Sequence, residues 1–566
     1  MFRAALARQT TVAAQPRPVR GVPDVHNRSS LRHSPLCVAL LVVGLTACGT
    51  DSGGGTASQP TTGGALTYAT PVEPDCLDPA VSARDVTALV DRNIFDSLVQ
   101  QKPDGSFQPW LAERWETAAD GRSYTFHLRT GVRFHDGTPL DAGAVKATLD
   151  HAVDPATESR YAAGLIAGYQ GTEVVDPHTA VVRLDRPNAS FLQALSAPYL
   201  GIQSPRALQG DPAGRCDKPV GSGPYRFVKW EKKVGVELSR NPDYAWPPKD
   251  AGHTGPARLD SLKITFVPED TVRVGALTSG QVQAVASVPP GRAKTLGGTV
   301  QVLRAESPGA PYTIYFNSAP GTVLADVRVR QALRRAVDLD QLVKAVYFGQ
   351  YQRAWSPLTP ATPFYDDATK GAFTFDQAEA NRLLDEAGWT TRDGAGYRVR
   401  DGRRLTLRWP HTADMERDQR GLIGQGVQAQ ARQVGIEIQY TQVDQGTIGE
   451  LIGKRALDLF DVSFTRPEPD ILRYFFGTDS TLEKGGGNIF GLDIPGLDKL
   501  LTGGVSTLDQ AERTRLYADA QRYVVDNAIS LPVYVPTSLV GVTRDVHGIE
   551  FGAGAYPLFY DAWIAR

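Results

Sequence analysis

Hydrophobic positions along the chain repeat at two spacings, and the change from one to the other maps its elements. A short strand at residues 65–69 is followed by Val86, Leu89, Val90 and Ile94, whose three-to-four-residue spacing predicts an amphipathic helix. Tyr124, Phe126 and Leu128 then alternate with Thr125, His127 and Arg129. That pattern predicts a half-buried strand continuing through Val132 and Phe134 to the turn His135-Asp136-Gly137, with His127 facing away from the core. Further strands are predicted at 180–184, 225–230, 234–239 and 262–266, separated by Gly, Pro and Asp clusters.

From Asp326 onward the balance shifts toward helix. Helices are predicted over 326–336, over 375–387 with Gly388 as the stop, and over 415–434 with Gly435 as the stop. Strands at 405–409, 436–443 and 458–464 interleave with them, which makes a second α/β unit. The last long helix, about 508–526, leads into an apolar strand at 529–535, where Pro532 indicates an edge or crossing position. No internal repeat is present.

At 566 residues the chain exceeds the size at which a single core stops growing, so two or more lobes are expected. With 41% apolar and 22% charged residues, neither disorder nor a fibre is indicated. A net charge of −2, with no long basic run, leaves no field to gather a polyanion and argues against nucleic acid as a partner.

The strongly apolar run, residues 35–47, is too short to span a bilayer as a helix and follows Arg32, the build of a secretory signal. It ends in Leu45-Thr46-Ala47-Cys48, which looks like a bacterial lipobox, where small residues admit the peptidase and the Cys48 thiol takes the lipid. Residues 49–64 form a Gly/Ser/Thr tether. Residues 1–30 are Arg-rich and acid-poor like a transit peptide, but a signal directly behind them argues otherwise, and the true start is expected near Val25, with the residues before it not made. Of four cysteines, Cys37 leaves with the signal and Cys48 is acylated. Cys76 and Cys216 remain in an oxidising environment, either as a disulfide or as two buried thiols.

Several segments, in order, resemble the oligopeptide, dipeptide and nickel-type solute-binding proteins, the bacterial extracellular solute-binding family 5. They are Leu77-Asp78-Pro79, residues 94–116 (IFDSLVQQKPDGSFQPWLAERWE) and residues 120–145 (DGRSYTFHLRTGVRFHDGTPLDAGAV), the last matching almost position for position. Residues 219–227, 240–244, 315–317, 326–338 and 378–389 extend the likeness across nearly the whole mature chain.

The resemblance implies an α/β fold of the type II periplasmic-binding-protein kind: a two-lobed clamp with an extra subdomain in the first lobe, closing by hinge motion on ligand held between the lobes. The expected division is 1–47 extension and signal, 48–64 lipidated cysteine and tether, 65–310 first lobe with an inserted subdomain at about 110–215, completed by 530–566, and 311–529 second lobe. Crossing strands are placed near 306–315 and 530–534. The implied activity is binding without chemistry or cofactor. The implied partners are a peptide or similar small polar ligand and the permease of an ABC importer with its ATPase, with membrane contact through the lipid alone and a monomeric state. A chelated metal is a further possible cargo by the same resemblance.

Readings from other classes are a secreted α/β hydrolase or esterase and a receptor that senses without transport. Gly221-Ser222-Gly223 lacks the spacing of a nucleophile elbow and has no paired His/Asp signature. Residues 424–429 (GQGVQA) fit a dinucleotide fingerprint on paper but lie inside a helical stretch, where the glycines serve helix contacts. The nine histidines show no metal-ligand spacing.

Peptide-binding members tend to carry a Trp and an Asp just upstream of an acidic-Pro pair, the Asp meeting the peptide ammonium. Here residues 460–476 read FDVSFTRPEPDILRYFF, and aligning Glu468-Pro469 puts Phe464 and Thr465 at those places with Arg466 beside them. The amine anchor is missing, and a guanidinium suited to a carboxylate or phosphate stands there instead. The plain alternative is an Arg466 paired with Glu468 or Asp470. The ligand-binding candidates are thus Arg466, Phe464 and Thr465, with Tyr315 and Asn317 from the YFN element, and Glu73.

Overall fold

The computed structural model describes residues 59–566, which form one compact unit. Cys48, the tether up to Ser58 and the leader lie outside the described residues. Two large sheets organise the rest.

The first sheet has seven strands, in the order Val300–Glu306, Thr537–Thr543, Ala284–Val285, Ala65–Thr70, Ser261–Phe266, Gly235–Arg240 and Tyr225–Glu231. Ala65–Thr70 runs parallel to both of its neighbours, and the remaining pairs are antiparallel. Alternation along Ser261–Phe266 sends Leu262, Ile264 and Phe266 into a core with Leu66, Tyr68 and Val236. Within this lobe a separate antiparallel sheet orders Ala112–Thr117, Ser123–Leu128, Thr179–Leu184 and Tyr169–Asp176, and it shares its core with the helix Ala142–Val153. Tyr124, Phe126 and Leu128 point inward, and His127 is half-exposed. That strand ends at Leu128 instead of reaching Phe134. The chain then bridges Arg133 to Pro139 around Gly137, whose φ of +84° suits the glycine.

The second large sheet orders Gln352–Arg353, Ser530–Val535, Gly309–Phe316 and Leu459–Thr465, all antiparallel. Its core joins Tyr312, Ile314 and Phe316 to residues of the helices Val327–Ala336 and Arg420–Gln433. The latter starts at Arg420, five residues later than its periodicity suggests, because Asp418 and Gln419 adopt left-handed backbone. Inside it, Gly424 and Gly426 lie where a side chain would strike Tyr440 and Leu342, so the paired glycines are helix contacts.

Two features of the sheets correct the sequence reading. Ser530–Val535, expected to open the returning part of the first lobe, pairs in the second sheet, and the return begins after Pro536. Nor is it an edge strand. Pro532 sits beside a bulge opposite Thr313, where its missing N–H disrupts the ladder least, and its carbonyl accepts from Arg353 Nη1 at 2.6 Å.

The chain therefore passes between the large sheets at Ser307-Pro308 and at Pro536. Each proline removes a ladder donor, so both sheets stop at the same level, and one bond from Ser307 N–H to the Pro536 carbonyl (2.9 Å) ties the passes together.

Candidate functional site

Between the two lobes lies a cavity with about 240 Å³ of solvent-accessible space. One side is Thr465-Arg466-Pro467, where the strand Leu459–Thr465 leaves the second sheet. The opposite walls come from the first lobe: Arg92 at the end of the helix Asp85–Ile94, Gln101, Gln193, and a set of rings that includes Trp110, Tyr161 and Tyr199. Segment 548–561 closes a further side with Tyr556, Phe559 and Tyr560.

The lobes touch across this space. Gln101 Nε2 donates to the Pro467 carbonyl at 2.8 Å and Arg466 Nε donates to Gln193 Oε1 at 3.3 Å. Ala189 N–H donates to the Val505 carbonyl at 2.8 Å. The structure is that of a closed clamp.

Arg466 is 8% exposed, and its backbone N–H donates to the Pro308 carbonyl at 3.1 Å, which fixes it beside the inter-sheet crossing. Its expected partners are engaged elsewhere: Glu468 pairs with Arg513, and Asp470 pairs with Arg473 at 3.0 Å. Among the described residues no carboxylate comes within ion-pairing distance of Arg466. Its one side-chain partner is the Gln193 amide. A buried guanidinium without a counter-charge carries a desolvation penalty that a ligand anion can offset.

Behind the walls, Asp96 is fully buried and accepts from Ser222 Oγ (2.8 Å), Trp246 Nε1 (2.9 Å) and the Tyr244 hydroxyl (3.2 Å). Burial nonetheless pushes its carboxyl up to about 6. Burial likewise brings the Arg92 guanidinium, seated over the Trp110 ring, down to about 10. Gly221 and Gly223 lie where any Cβ would meet the Ile94 backbone, so the Gly-Ser-Gly element packs against the helix end and Ser222 points at Asp96. It is a packing element, and among the described residues no imidazole bonds to that hydroxyl.

The sequence candidates divide. Arg466 and Thr465 line the cavity. Phe464 stands behind it, its ring 5.6 Å from that of Tyr161, so it buttresses a wall. Tyr315 is stacked on Phe475 at 4.8 Å inside the second lobe, and Asn317 donates to the Leu457 carbonyl at 3.0 Å. Tyr315 on the strand Gly309–Phe316 and Asn317 just after it are both buried within that lobe, away from the cavity. Glu73 accepts from Trp230 Nε1 (3.0 Å) and Lys233 N–H (2.9 Å), pinning a hairpin of the first lobe, and does not line the cavity either. Cys76 and Cys216 are bonded to each other, bracing the segment around Asp78. Gln193, Tyr161 and the 548–561 segment carry no periodicity or motif that marks them beforehand, and Gln101, although inside the 94–116 segment that carries the resemblance, is not marked there as a site residue.

A two-lobed α/β clamp, closed over a cavity that holds a polar group without its counterpart, defines a type II solute-binding protein. Residues 106–483 match the family described as bacterial extracellular solute-binding proteins, family 5 (middle region), and the chain belongs to that family. It is 27% identical over 493 residues to a dipeptide-binding protein of Pseudomonas aeruginosa, covering 82% of this chain and 88% of the relative. It is 28% identical over 454 residues to the glutathione-binding protein GsiB of Pectobacterium atrosepticum, covering 79% and 83% respectively. Among solved structures, NikA from Brucella suis in complex with Fe(III)-EDTA superposes with a TM-score of 0.77 at 25% identity, over 88% of this chain and all of that one. DppA from Helicobacter pylori in complex with the peptide STSA gives 0.74 at 22% identity, over 89% and 99%.

Proposed function

We propose that this protein is the exported, lipid-anchored receptor of an ABC importer, capturing a peptide or related small polar solute between its lobes and delivering it to the permease. The observation that carries this reading is the inter-lobe cavity, in which Arg466 has no carboxylate partner among the described residues. Binding that joins the two lobes stabilises the closed form by its differential affinity, and closure is the state a permease would recognise. The receptor acts as a monomer held to the outer face of the cytoplasmic membrane by the lipid on Cys48. Among the described residues no helix is long and apolar enough to cross a membrane.

The test is binding against turnover. A screen of short peptides and related polar solutes should raise the melting temperature of the purified protein in at least one case, because a ligand selective for the folded state stabilises it by mass action. Peptide and ester panels should not be hydrolysed, and turnover abolished by Ser222→Ala would overturn the reading. Cys48→Ala should move the protein from the membrane fraction to the soluble exported fraction; continued retention would place the anchor elsewhere.

A further inference from the structure

The cavity is polarised. At its buried end, Gln101 is 6% exposed, and its Nε2 is committed to the Pro467 carbonyl, which fixes the orientation of the amide. Gln101 Oε1 is left buried with no donor. Across the inter-lobe contact, next to Pro467, Arg466 offers N–H groups and lacks a carboxylate among the described residues. One acceptor wanting a donor and one cation wanting an anion thus stand together. A carboxylate with an amide N–H close by, as at the C-terminal residue of a peptide, meets both requirements.

The exposed end has the opposite sign. Asp250, Glu550 and Asp561 line it. Asp561 is occupied by His253 Nδ1 (2.7 Å) and Gly252 N–H (3.0 Å), and Asp250 accepts from the Gln108 amide. Glu550 has neither an ion pair nor a side-chain hydrogen bond among the described residues. Burial and the charges of Asp561 and Asp250 hold its carboxyl above the usual range, the mark of an acidic rim short of cations.

We propose that the cleft takes a zwitterionic short peptide with its carboxylate inward, on Arg466 and Gln101, and its ammonium at the acidic rim formed by Asp250 and Glu550. This rests on the solute-receptor reading and adds the direction in which the ligand lies. The aromatic walls between the ends accept a side chain of either character.

The experiment is calorimetric titration with three matched probes: the tripeptide Ala-Tyr-Ala, its C-terminal amide and its N-acetyl form. The free tripeptide should bind, the amide at least a hundredfold more weakly, and the acetyl form about tenfold more weakly, because the rim is solvated. In the double variant Asp250→Asn/Glu550→Gln, whose changes are on the surface, the free tripeptide should fall to the acetyl level while the acetyl form is unaffected. An amide that binds as well as the free peptide, or an acetyl form that loses more than the amide, would overturn the proposed direction and leave the receptor reading standing. If none of the three binds but a co-purifying solute identified by mass spectrometry lacks a carboxylate, the inference also falls. If no probe binds and no solute co-purifies, the receptor reading falls with it.

Discussion

Two arginines of the second lobe reach the inter-lobe contact, and the lobe treats them differently. Arg513 is 5% exposed and fully provided for: Glu468 accepts from it as a buried ion pair, the Gly504 carbonyl takes Nε at 3.1 Å, and Ser190 Oγ of the first lobe takes Nη2 at 3.2 Å. Arg466, 8% exposed and two residues before Glu468, has one amide. The same lobe thus carries one neutralised cation and one open one. The first is a fastening, and the second has the character of a receptor group, because only an added anion completes it.

The comparison is broken most severely by removing the compensation. Arg513→Ala should lower the unfolding free energy by about 3–5 kcal/mol, since Glu468 would remain buried without a partner. Replacing both, Arg513→Met with Glu468→Leu, should recover most of the loss in urea titrations. A double variant no better than the single one would mean that the ion pair is not what holds this contact.

Asp96 sharpens the comparison by asking whether hydrogen bonds can stand in for a counter-ion. Its three donors favour the ionised form, yet burial leaves its carboxyl at about 6, above the ordinary 3.8. A carboxyl with a raised folded value binds its proton more tightly in the native state. Its contribution is therefore full below the unfolded value and is lost as pH rises through about 6. A rise of that size corresponds to about 3 kcal/mol. Stability measured from pH 4 to 7 should show this fall, and Asp96→Asn should flatten it. A wild-type profile that rises steadily over that range would show the donors to be sufficient alone.

The smallest effect is the most specific. Arg466→Ala should weaken binding of the best solute at least tenfold, about 1.4 kcal/mol, while the unliganded melting temperature stays nearly constant. Arg466→Lys should restore part of the affinity, because the charge returns and the planar fork does not. Calorimetry alongside thermal melts separates these outcomes, and a fall in unliganded stability that accounts for the whole loss would make Arg466 another Arg513.

The architecture was legible where periodicity and turn chemistry act locally. Helices beginning at Asp85, Val327 and Gln510 fell within a few residues of their patterns, as did the strands around Phe126 and Ile264. Position in a sheet was less legible: Pro532 reads as an edge or crossing residue, and it lies in an internal strand, absorbed by a bulge, that leads into the pass at Pro536. In the cleft, the departure at Thr465-Arg466 could be read because a motif frames it. Its complements could not, since Gln193 lies 273 residues from Arg466 in sequence and Gln101 lies 366 from Pro467. Such partners are fixed by how the lobes close, which no local pattern encodes. Glu73, Tyr315 and Asn317 illustrate the converse: polar and aromatic residues near a motif are more often consumed by the lobe that carries them.

The bond from Arg466 N–H to Pro308 gives the clamp a mechanical property. A rotating body displaces each of its points in proportion to distance from the axis, and Arg466 is tied to one of the two passes about which the lobes would turn. In an opening motion it travels little, while the rest of the second lobe sweeps a wide arc. The cation then stays near the first lobe's wall when the jaws part, ready to meet an arriving charge before they shut. Seen from the other direction, a sub-ångström adjustment at Arg466 works the short arm of a lever, and its long arm is the face the second lobe turns toward the transporter.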